Sequence, residues 1–298
     1  MAISQEFSIK DLESFTGIKA HTIRIWEQRY GILTPLRSDG NIRKYSDKDL
    51  KWLLNVSFLN QLGYKISRIA SMKEQEIHEI IWKHAKTDHP AEMALHTLKL
   101  AMIHFDEQLF QEVIGQYTSE HGMESTIRNV FLPFLNEIGN LWLADSICPA
   151  QEHFVSGLIR QKLFAAIDGL PPARVDNAMP LVLYLPEHEI HEISMIMLHF
   201  LLRHAGRKSI YLGSGVPFED LERVKQQLGA VHFVSIYTTR SSTFFLPQYM
   251  SKIAGQFQHS SCKFHMTGAG VSSIQSPDPS LITLYNSVGE LKENLDRQ

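Results

Sequence analysis

The chain has 298 residues, of which 44% are hydrophobic and 20% are charged, a net charge of −3 and two cysteines. This composition is typical of a globular protein with two or three domains. No run of about eighteen apolar residues and no signal-peptide-like segment is present, which argues against a membrane span and favours the cytoplasm. Cys148 and Cys262 are too few and too far apart for a disulfide framework or a cysteine metal site.

The charge is distributed unevenly along the chain. Residues 1–75 carry 12 Lys and Arg against 8 Asp and Glu, whereas the remainder carries 17 against 24. The N-terminal region is therefore positive and the rest is negative. A positive region of this kind favours contact with nucleic-acid phosphates.

The first predicted elements are a short helix that starts after Ser8, a turn at Gly17 and a second helix over Ala20–Tyr30. The segment Pro35–Tyr45 predicts a β-hairpin that turns at Asp39-Gly40. Two helices joined by a glycine turn form a helix-turn-helix, and a cationic hairpin forms a wing that can reach phosphates. The candidate DNA-binding residues are His21, Thr22, Arg24, Arg29, Tyr30, Arg37, Asn41, Arg43 and Tyr45.

The second helix also has an apolar face. Helical spacing places Ile23, Trp26 and Tyr30 together, and we expect this face to pack into a core. The segment from Phe7 to Met72 contains Thr22-Ile23-Arg24-Ile25-Trp26-Glu27, Arg29-Tyr30-Gly31, Pro35, Arg37, Arg43, Tyr45-Ser46 and Gly63. With these residues it resembles the MerR family of winged-helix transcription regulators, which implies a double-stranded DNA operator as partner. The alternative is an ordinary helical domain with a hairpin.

The pattern after the wing is helical. No heptad repeat follows Met72, so the dimer-forming coiled coil of simpler family members is not expected here. The spacing of apolar residues predicts a bundle over residues 76–172, after a DNA-binding domain over 1–75. The predicted helices cover Asp47–Leu62 with Ser46 as cap, Ile66–Met72, Glu74–Ala85, Ala91–Ile103, Asp106–Glu120, Glu124–Leu143 and Pro149–Ile167.

Short apolar strands alternate with helices after Pro180. This alternation predicts a parallel sheet with helices on both faces, a Rossmann-like or flavodoxin-like domain over residues 178–298. Such sheets bind ligands beyond the carboxyl ends of their strands. The predicted strands are Leu181–Leu185, Ser209–Leu212, Val231–Ile236, Lys263–Thr267 and Leu281–Leu284. The predicted helices are His191–Ala205, Pro217–Leu228, Thr243–Gln258 and Val288–Leu295.

Glu189 and His191 follow the first predicted strand, and Ser194 stands three residues later. A histidine in such a loop is most often a capped or solvated residue. The spacing, however, is similar to the motif of cobalamin-binding domains in transcription factors, where His ligates cobalt from below and a carboxylate orients its ring. The resemblance implies that His191 is the lower cobalt ligand and Glu189 its partner. It also assigns Ser194, Ser235 and Gly268 to the cofactor site.

Trp142 is followed, after nine residues, by Glu152 and His153. Without further context, Trp142 would be a core residue of the bundle and the other two would be surface residues. The spacing resembles that of the light-sensing, adenosylcobalamin-dependent carotenoid-gene repressors. The resemblance implies that Trp142 packs on the adenosyl group and that Glu152 contacts it. His153 would become the upper cobalt ligand after light breaks the cobalt–carbon bond.

Three residues depart from the cobalamin pattern. Ser194 and Ala269 replace glycines, and Tyr237 replaces a leucine or threonine, so each adds atoms to the cofactor site. We expect a repressor, not an enzyme, that assembles into a dimer or tetramer under the control of adenosylcobalamin. Two alternatives remain. One is a cofactor-independent regulator whose last domain serves assembly or binds another ligand or protein. The other is a corrinoid-carrying enzyme subunit, which the winged helix disfavours.

Overall fold

The computed structural model describes residues 6–38, 40–77, 79–80, 89–172, 179–238 and 245–297. Contacts between residues divide the chain into two compact units, Met1–Leu158 and Ile159–Gln298. Within the described ranges, no helix is both long enough and apolar enough to cross a membrane.

The first unit begins with the predicted winged helix-turn-helix. Helix α1 spans Ile9–Thr16 and helix α2 spans Ala20–Tyr30, and Gly17 joins them with a φ of 72° that favours glycine. Strands β1 (Leu36–Arg37) and β2 (Arg43–Lys44) pair antiparallel and form the wing. Asp39 of the predicted turn lies outside the described residues.

Both predicted capping serines are confirmed. The Ser8 side chain accepts from the backbone N–H of Asp11, and the Asp11 carboxylate accepts from the N–H of Ser8. Ser46 and Asp49 form the same reciprocal pair at the start of α3. Because each pair satisfies two N–H groups that the helix leaves unbonded, it fixes where the helix begins. Helix α3 spans Asp47–Gln61, and α4 spans Ile66–Ile69 and so ends before the predicted Met72.

The helices that follow agree with the predicted bundle. They are α5 (Pro90–His104), α6 (Glu107–Thr126), α7 (Leu132–Leu143) and α8 (Pro149–Asp168). Gly122, with a φ of 80°, interrupts helical geometry at the predicted boundary. A π-helical segment, Ile127–Phe131, joins α6 to α7, and the sequence pattern does not predict it. Most of the second half of the predicted helix Glu74–Ala85 lies outside the described residues.

The second unit contains a five-stranded sheet in which every pair is parallel, in the order β4-β3-β5-β6-β7. This order is that of a flavodoxin-like fold, and its topological switch point lies at the carboxyl ends of β3 and β5. The strands are β3 (Leu181–Pro186), β4 (Ser209–Val216), β5 (His232–Tyr237), β6 (Lys263–Gly268) and β7 (Ile282–Tyr285). The helices are α9 (Ile193–His204), α10 (Phe218–Leu228), α11 (Leu246–Phe257) and α12 (Val288–Asp296), with a 3₁₀ turn at Val271–Ser273.

Buried side chains cover both faces of this sheet. Tyr184 and Phe233 pack with residues of α10 and α11 on one face. Leu183 and Val234 pack with residues of α9 and α12 on the other. Because neighbouring strand residues point to opposite faces, burial of both faces explains the continuous apolar runs in the sequence.

Two predicted segments of this unit differ from the structure or reach beyond it. Helix α9 begins at Ile193 rather than His191, because the Glu189 carboxylate accepts from the backbone N–H of His191 and holds that residue outside the helix. The start of the predicted helix Thr243–Gln258 lies outside the described residues.

Candidate functional site

The recognition helix α2 presents polar and cationic side chains on its outer side. Ile23 is fully buried and holds the inner side against the core. His21, Arg24 and Arg29 are exposed, and Thr22 is partly exposed. This surface is suited to contact with phosphates and base edges.

The predicted core face of α2 is only partly buried. Trp26 and Tyr30 are of intermediate exposure, so the expectation that both lie in the core is wrong. The Arg29 guanidinium carbon lies 5.5 Å from the centre of the Tyr30 ring. Tyr30 therefore remains beside the cationic surface, where it was predicted to contact DNA.

The wing carries one exposed pair of candidate residues at its tip. Arg37 donates from Nη1 to the side-chain oxygen of Asn41 at 2.5 Å, and both residues are exposed. Asn41 has a φ of 60°, a conformation that Asn tolerates better than most residues. The turn therefore directs a guanidinium towards solvent, where a phosphate can reach it.

Arg43 and Tyr45 are instead bound to Glu27 on the recognition helix. Arg43 Nε lies 3.1 Å from one Glu27 carboxylate oxygen, and the Tyr45 hydroxyl donates to the other at 3.1 Å. Tyr45 is buried, so its predicted direct contact with DNA is wrong. Burial, followed by the Glu27 charge, raises the pKa of Tyr45. We call this cluster the Glu27 clamp, because it fixes the wing to the recognition helix. The sequence analysis missed Glu27.

In the second unit, Glu189 holds the predicted cobalt ligand His191. The Glu189 side chain is fully buried, and its Oε1 accepts from the backbone N–H of His191 at 2.8 Å and from His191 Nδ1 at 2.7 Å. Its Oε2 accepts from the backbone N–H of Thr238 at 3.0 Å. Since a carboxylate only accepts hydrogen bonds, Nδ1 carries the proton. A metal would therefore be bound through Nε2 of a ring that is 49% exposed.

The Glu189–His191 pair lies at the topological switch point of the sheet. Glu189 follows β3 in a turn, in which its N–H donates to the carbonyl of Pro186. Thr238 directly follows β5, the strand that pairs with β3. One buried carboxylate thus joins the carboxyl ends of two adjacent strands and orients the imidazole there.

Glu192 extends this arrangement into a network that the sequence analysis missed. Its Oε2 accepts from the Tyr211 hydroxyl at 2.8 Å, and its Oε1 accepts from Arg160 at 3.2 Å. The Tyr211 ring also packs edge-on against Phe164, with the ring centres 6.0 Å apart. The residue next to His191 is therefore tied to α8 and β4.

Ser194 and Gly268, two further residues of the predicted cofactor site, lie in different surroundings. Ser194 lies in the first turn of α9 and is partly buried. Gly268 has a φ of 126°, and a Cβ atom there would lie 1.9 Å from the carbonyl oxygen of Tyr237. The N–H of Ala269 donates to the same oxygen at 2.7 Å. Close approach to β5 thus requires glycine at position 268, whether or not a ligand binds.

Two buried hydroxyls, of Ser235 and Tyr237, have no hydrogen-bond partner among the described residues. Tyr237 also lines a cavity of about 250 Å³ at the carboxyl ends of β3, β4 and β5, with His188, Phe245 and Tyr249. The oriented imidazole fits a lower ligand of a corrinoid. The Tyr237 ring is the bulkiest group added relative to the cobalamin pattern.

In the first unit, the two residues predicted to contact the adenosyl group, Trp142 and Glu152, and the predicted upper cobalt ligand, His153, are all at least partly exposed. Trp142 on α7 is 47% exposed, so the alternative reading as a core residue is wrong. Glu152 Oε2 lies 2.8 Å from His153 Nδ1, and Glu152 Oε1 accepts from Ser156. The His153 side chain is 76% exposed and accessible to a ligand.

Comparisons with known proteins agree with the order of a winged helix-turn-helix followed by a helical bundle. Residues 7–76 match the family described as MerR HTH family regulatory protein, and residues 94–166 match the B12 binding domain. The HTH-type transcriptional repressor CarH of Myxococcus xanthus is 29% identical over 241 residues, which cover 79% of each chain. The HTH-type transcriptional repressor CarA of the same organism is 28% identical over 233 residues, which cover 76% of each chain.

A solved structure shares the fold of much of the chain. The monomethylamine corrinoid protein of Methanosarcina barkeri matches with a TM-score of 0.53 and 15% identity, over 70% of this chain and 100% of that one. The predicted helical bundle followed by a parallel sheet is thereby confirmed as a fold.

Proposed function

We propose that this chain, a DNA-binding regulator with a MerR-type head and a B12-binding domain, is a repressor controlled by adenosylcobalamin and light. The single observation that carries the proposal is the Glu189–His191 pair at the switch point of the sheet. Repression as the direction of control is supported by the two relatives, both named as transcriptional repressors. The protein is proposed to act in the cytoplasm and to catalyse no reaction.

The DNA-binding surface combines two kinds of contact. His21, Thr22 and Arg24 at the start of α2 are proposed to lie at base edges of the operator. Arg29, Arg37 and Asn41 are proposed to contact the phosphate backbone, where exposed guanidinium and amide groups bind well. The Glu27 clamp holds the wing in the position from which Arg37 reaches the backbone.

In the cofactor site, His191 is proposed to ligate cobalt through Nε2, while Glu189 holds the ring by Nδ1. A bound adenosylcobalamin would supply a cobalt–carbon bond that light breaks. Trp142 and Glu152 are proposed to contact the adenosyl group. His153 is proposed to become the upper ligand after illumination. Its exposure supports this role, because the side chain needs little rearrangement to leave its present partner.

Control of DNA binding is proposed to act through self-association. Since no heptad repeat follows Met72 in the sequence, pairs of heads are proposed to be linked by the bundle and sheet, as a dimer or tetramer. Two linked heads bind repeated half-sites much more tightly than one head, because the second contact is intramolecular. The dark adenosyl form is therefore proposed to be oligomeric and DNA-bound, and the illuminated form smaller and released.

The first experiment measures the uptake of cobalamin. The full-length protein is mixed with adenosylcobalamin in the dark and separated from unbound cofactor, and its visible spectrum is recorded. The wild type should retain cobalamin, and His191→Ala should lose most of it. His188→Ala is a matched control. His188 is exposed in the same loop, but its ring packs against Phe245 rather than against Glu189. A wild type that retains no cobalamin would refute cofactor control.

The second candidate function is a regulator without the cofactor, and the packing of Tyr237 favours it. The ring is buried against α11 and lies in the same cluster as Tyr184, whose hydroxyl accepts from Tyr249 at 3.1 Å. If the wild type takes up no cobalamin, we expect a triple variant to restore uptake. It combines Ser194→Gly, Ala269→Gly and Tyr237→Leu. Failure of this triple variant as well would leave assembly or another ligand as the role of the sheet domain.

A further inference from the structure

Ile25 is an aliphatic residue on the outer side of the recognition helix. It is 51% exposed, whereas Ile23, two residues earlier, is fully buried. Helical residues are rotated by about 100° each, so Ile25 points roughly 200° away from Ile23. Ile25 therefore contributes little to the core of the head.

The neighbours of Ile25 on the helix surface are all polar or cationic. His21 lies one turn before it, and Gln28 and Arg29 lie one turn after it, and all three are exposed. The region that carries them, residues 1–75, has an excess of cationic over acidic side chains. This charge favours duplex DNA over an apolar protein as the occupant of the surface.

An isoleucine side chain has no hydrogen-bond donor or acceptor, so in a DNA groove it can gain affinity only from apolar contact. In the major groove, thymine is the base that presents an exposed methyl group. From this chemistry and the position of Ile25, we infer that Ile25 determines specificity by reading the 5-methyl group of one thymine in each half-site of the operator. The inference rests on the proposed DNA binding and is independent of cobalamin.

Two variants serve as matched controls for this assignment, one in the wing and one at position 25 itself. Ile42 is 64% exposed and lies in the hairpin rather than on the recognition helix. Truncation of Ile42 removes a similar apolar side chain from the head without changing the outer face of α2. Ile25→Val retains a branched aliphatic side chain and should retain most of the methyl recognition.

The experiment removes single methyl groups from the DNA. Operators are first selected from random duplex DNA with the full-length protein in the dark, with and without adenosylcobalamin. Each thymine is then replaced in turn by deoxyuridine, which lacks only the methyl group, and affinity is measured at constant salt. The wild type should lose about threefold to fivefold in affinity at one thymine per half-site, the effect expected for one buried methyl group.

The variants distinguish this explanation from a general effect on DNA shape. Ile25→Ala should bind the thymine and deoxyuridine operators equally, whereas Ile42→Ala should discriminate between them as the wild type does. The inference is overturned if no single methyl group affects wild-type binding, or if Ile25→Ala still discriminates. An operator that is bound but insensitive to methyl removal overturns this inference alone, whereas failure to select any operator also refutes the proposed DNA binding.

Discussion

The two units of the chain each contain a histidine next to a carboxylate, but they hold the pair in different ways. In the first unit, Glu152 and His153 are adjacent in sequence and 2.8 Å apart, and their side chains are 31% and 76% exposed. In the second unit, Glu189 is fully buried and binds His191 together with two backbone N–H groups. An ion pair that is partly open to solvent contributes little to the stability of the fold, and its two side chains can separate easily. A fully buried carboxylate, in contrast, is stable only while its hydrogen-bond donors compensate for the loss of water. The comparison indicates that the histidine of the first pair can change its partner easily, whereas the histidine of the second pair is held in one orientation.

The sheet unit also contains three buried histidines outside this pair. His199, His232 and His265 are buried in the sheet unit. His232 Nδ1 lies 2.8 Å from His265 Nε2, and His265 Nδ1 lies 2.8 Å from the Tyr285 hydroxyl. Burial, then His232 and Lys263, lowers the pKa of His265 to about 3. Burial, then Arg203, lowers the pKa of His199 to about 4. These rings are therefore neutral at pH 7.

The largest expected effect that separates the two units is acid destabilisation of the sheet. Below the ordinary His pKa of 6.5, the unfolded chain takes up a proton that folded His265 takes up only near pH 3. Stability therefore falls as the pH falls, by about 2 kcal/mol at pH 5 from His265 alone. Hydrogen exchange of β5 and β6 should accelerate correspondingly between pH 6.5 and pH 5, after correction for the intrinsic exchange rate.

A variant and an internal control sharpen this prediction. His265→Gln should make the stability of the sheet depend less on pH, whatever its effect on absolute stability. All four tryptophans, at positions 26, 52, 82 and 142, precede residue 159 in the sequence, so their fluorescence is an internal control that does not report the sheet. Equal pH dependence of exchange in wild type and variant would contradict the assignment to His265.

The next effect concerns the Glu189–His191 pair. Glu189→Gln keeps the size of the side chain but replaces one acceptor oxygen with a donor, which conflicts with the N–H groups around it. Loss of a carboxylate behind a ligating histidine typically weakens metal binding about 10-fold to 100-fold. Absorption titration with adenosylcobalamin should show this loss, whereas Glu187→Gln, which changes an exposed residue of the same loop, should bind as wild type does. Equal affinities of Glu189→Gln and Glu187→Gln for adenosylcobalamin would contradict the claim that Glu189 holds His191 for cobalt binding.

The Glu27 clamp tests whether a largely buried pair in the first unit also acts by positioning. Arg43→Ala should weaken DNA binding because the wing loosens, with little change in the salt dependence. Arg37→Ala removes an exposed cation and should lower the salt slope by about one. Affinity measured from low to moderate salt distinguishes them. A lower slope for Arg43→Ala would instead indicate a direct phosphate contact.

The smallest effect is expected for the Glu152–His153 pair. His153→Ala should change the free energy of unfolding by less than about 0.5 kcal/mol, as is usual for exposed residues. It should also assemble normally with adenosylcobalamin in the dark. After illumination it should release hydroxocobalamin faster than the wild type, as measured by repeated filtration and absorbance. Equal retention by both proteins would exclude His153 as the upper ligand.

Local patterns in the sequence were sufficient for the order of helices and strands, for the capping residues Ser8 and Ser46, and for the location of Glu189 and His191 at a strand end. Each of these depends on residues that are close together along the chain. The Glu27 clamp and the bonds from Glu192 to Arg160 and Tyr211 join residues 16 to 32 positions apart. Apolar spacing carries no signal for such pairs, which is why Tyr45 was predicted to face DNA.

The most direct test of the central claim is the response of DNA binding to cofactor and light. A selected operator is incubated with the full-length protein and adenosylcobalamin in the dark, and binding is followed by gel mobility and size-exclusion before and after illumination. The account predicts a slowly migrating oligomeric complex in the dark that dissociates on illumination, and no such light response for His191→Ala. Operator binding and oligomeric state that are unchanged by cobalamin and by light would contradict it.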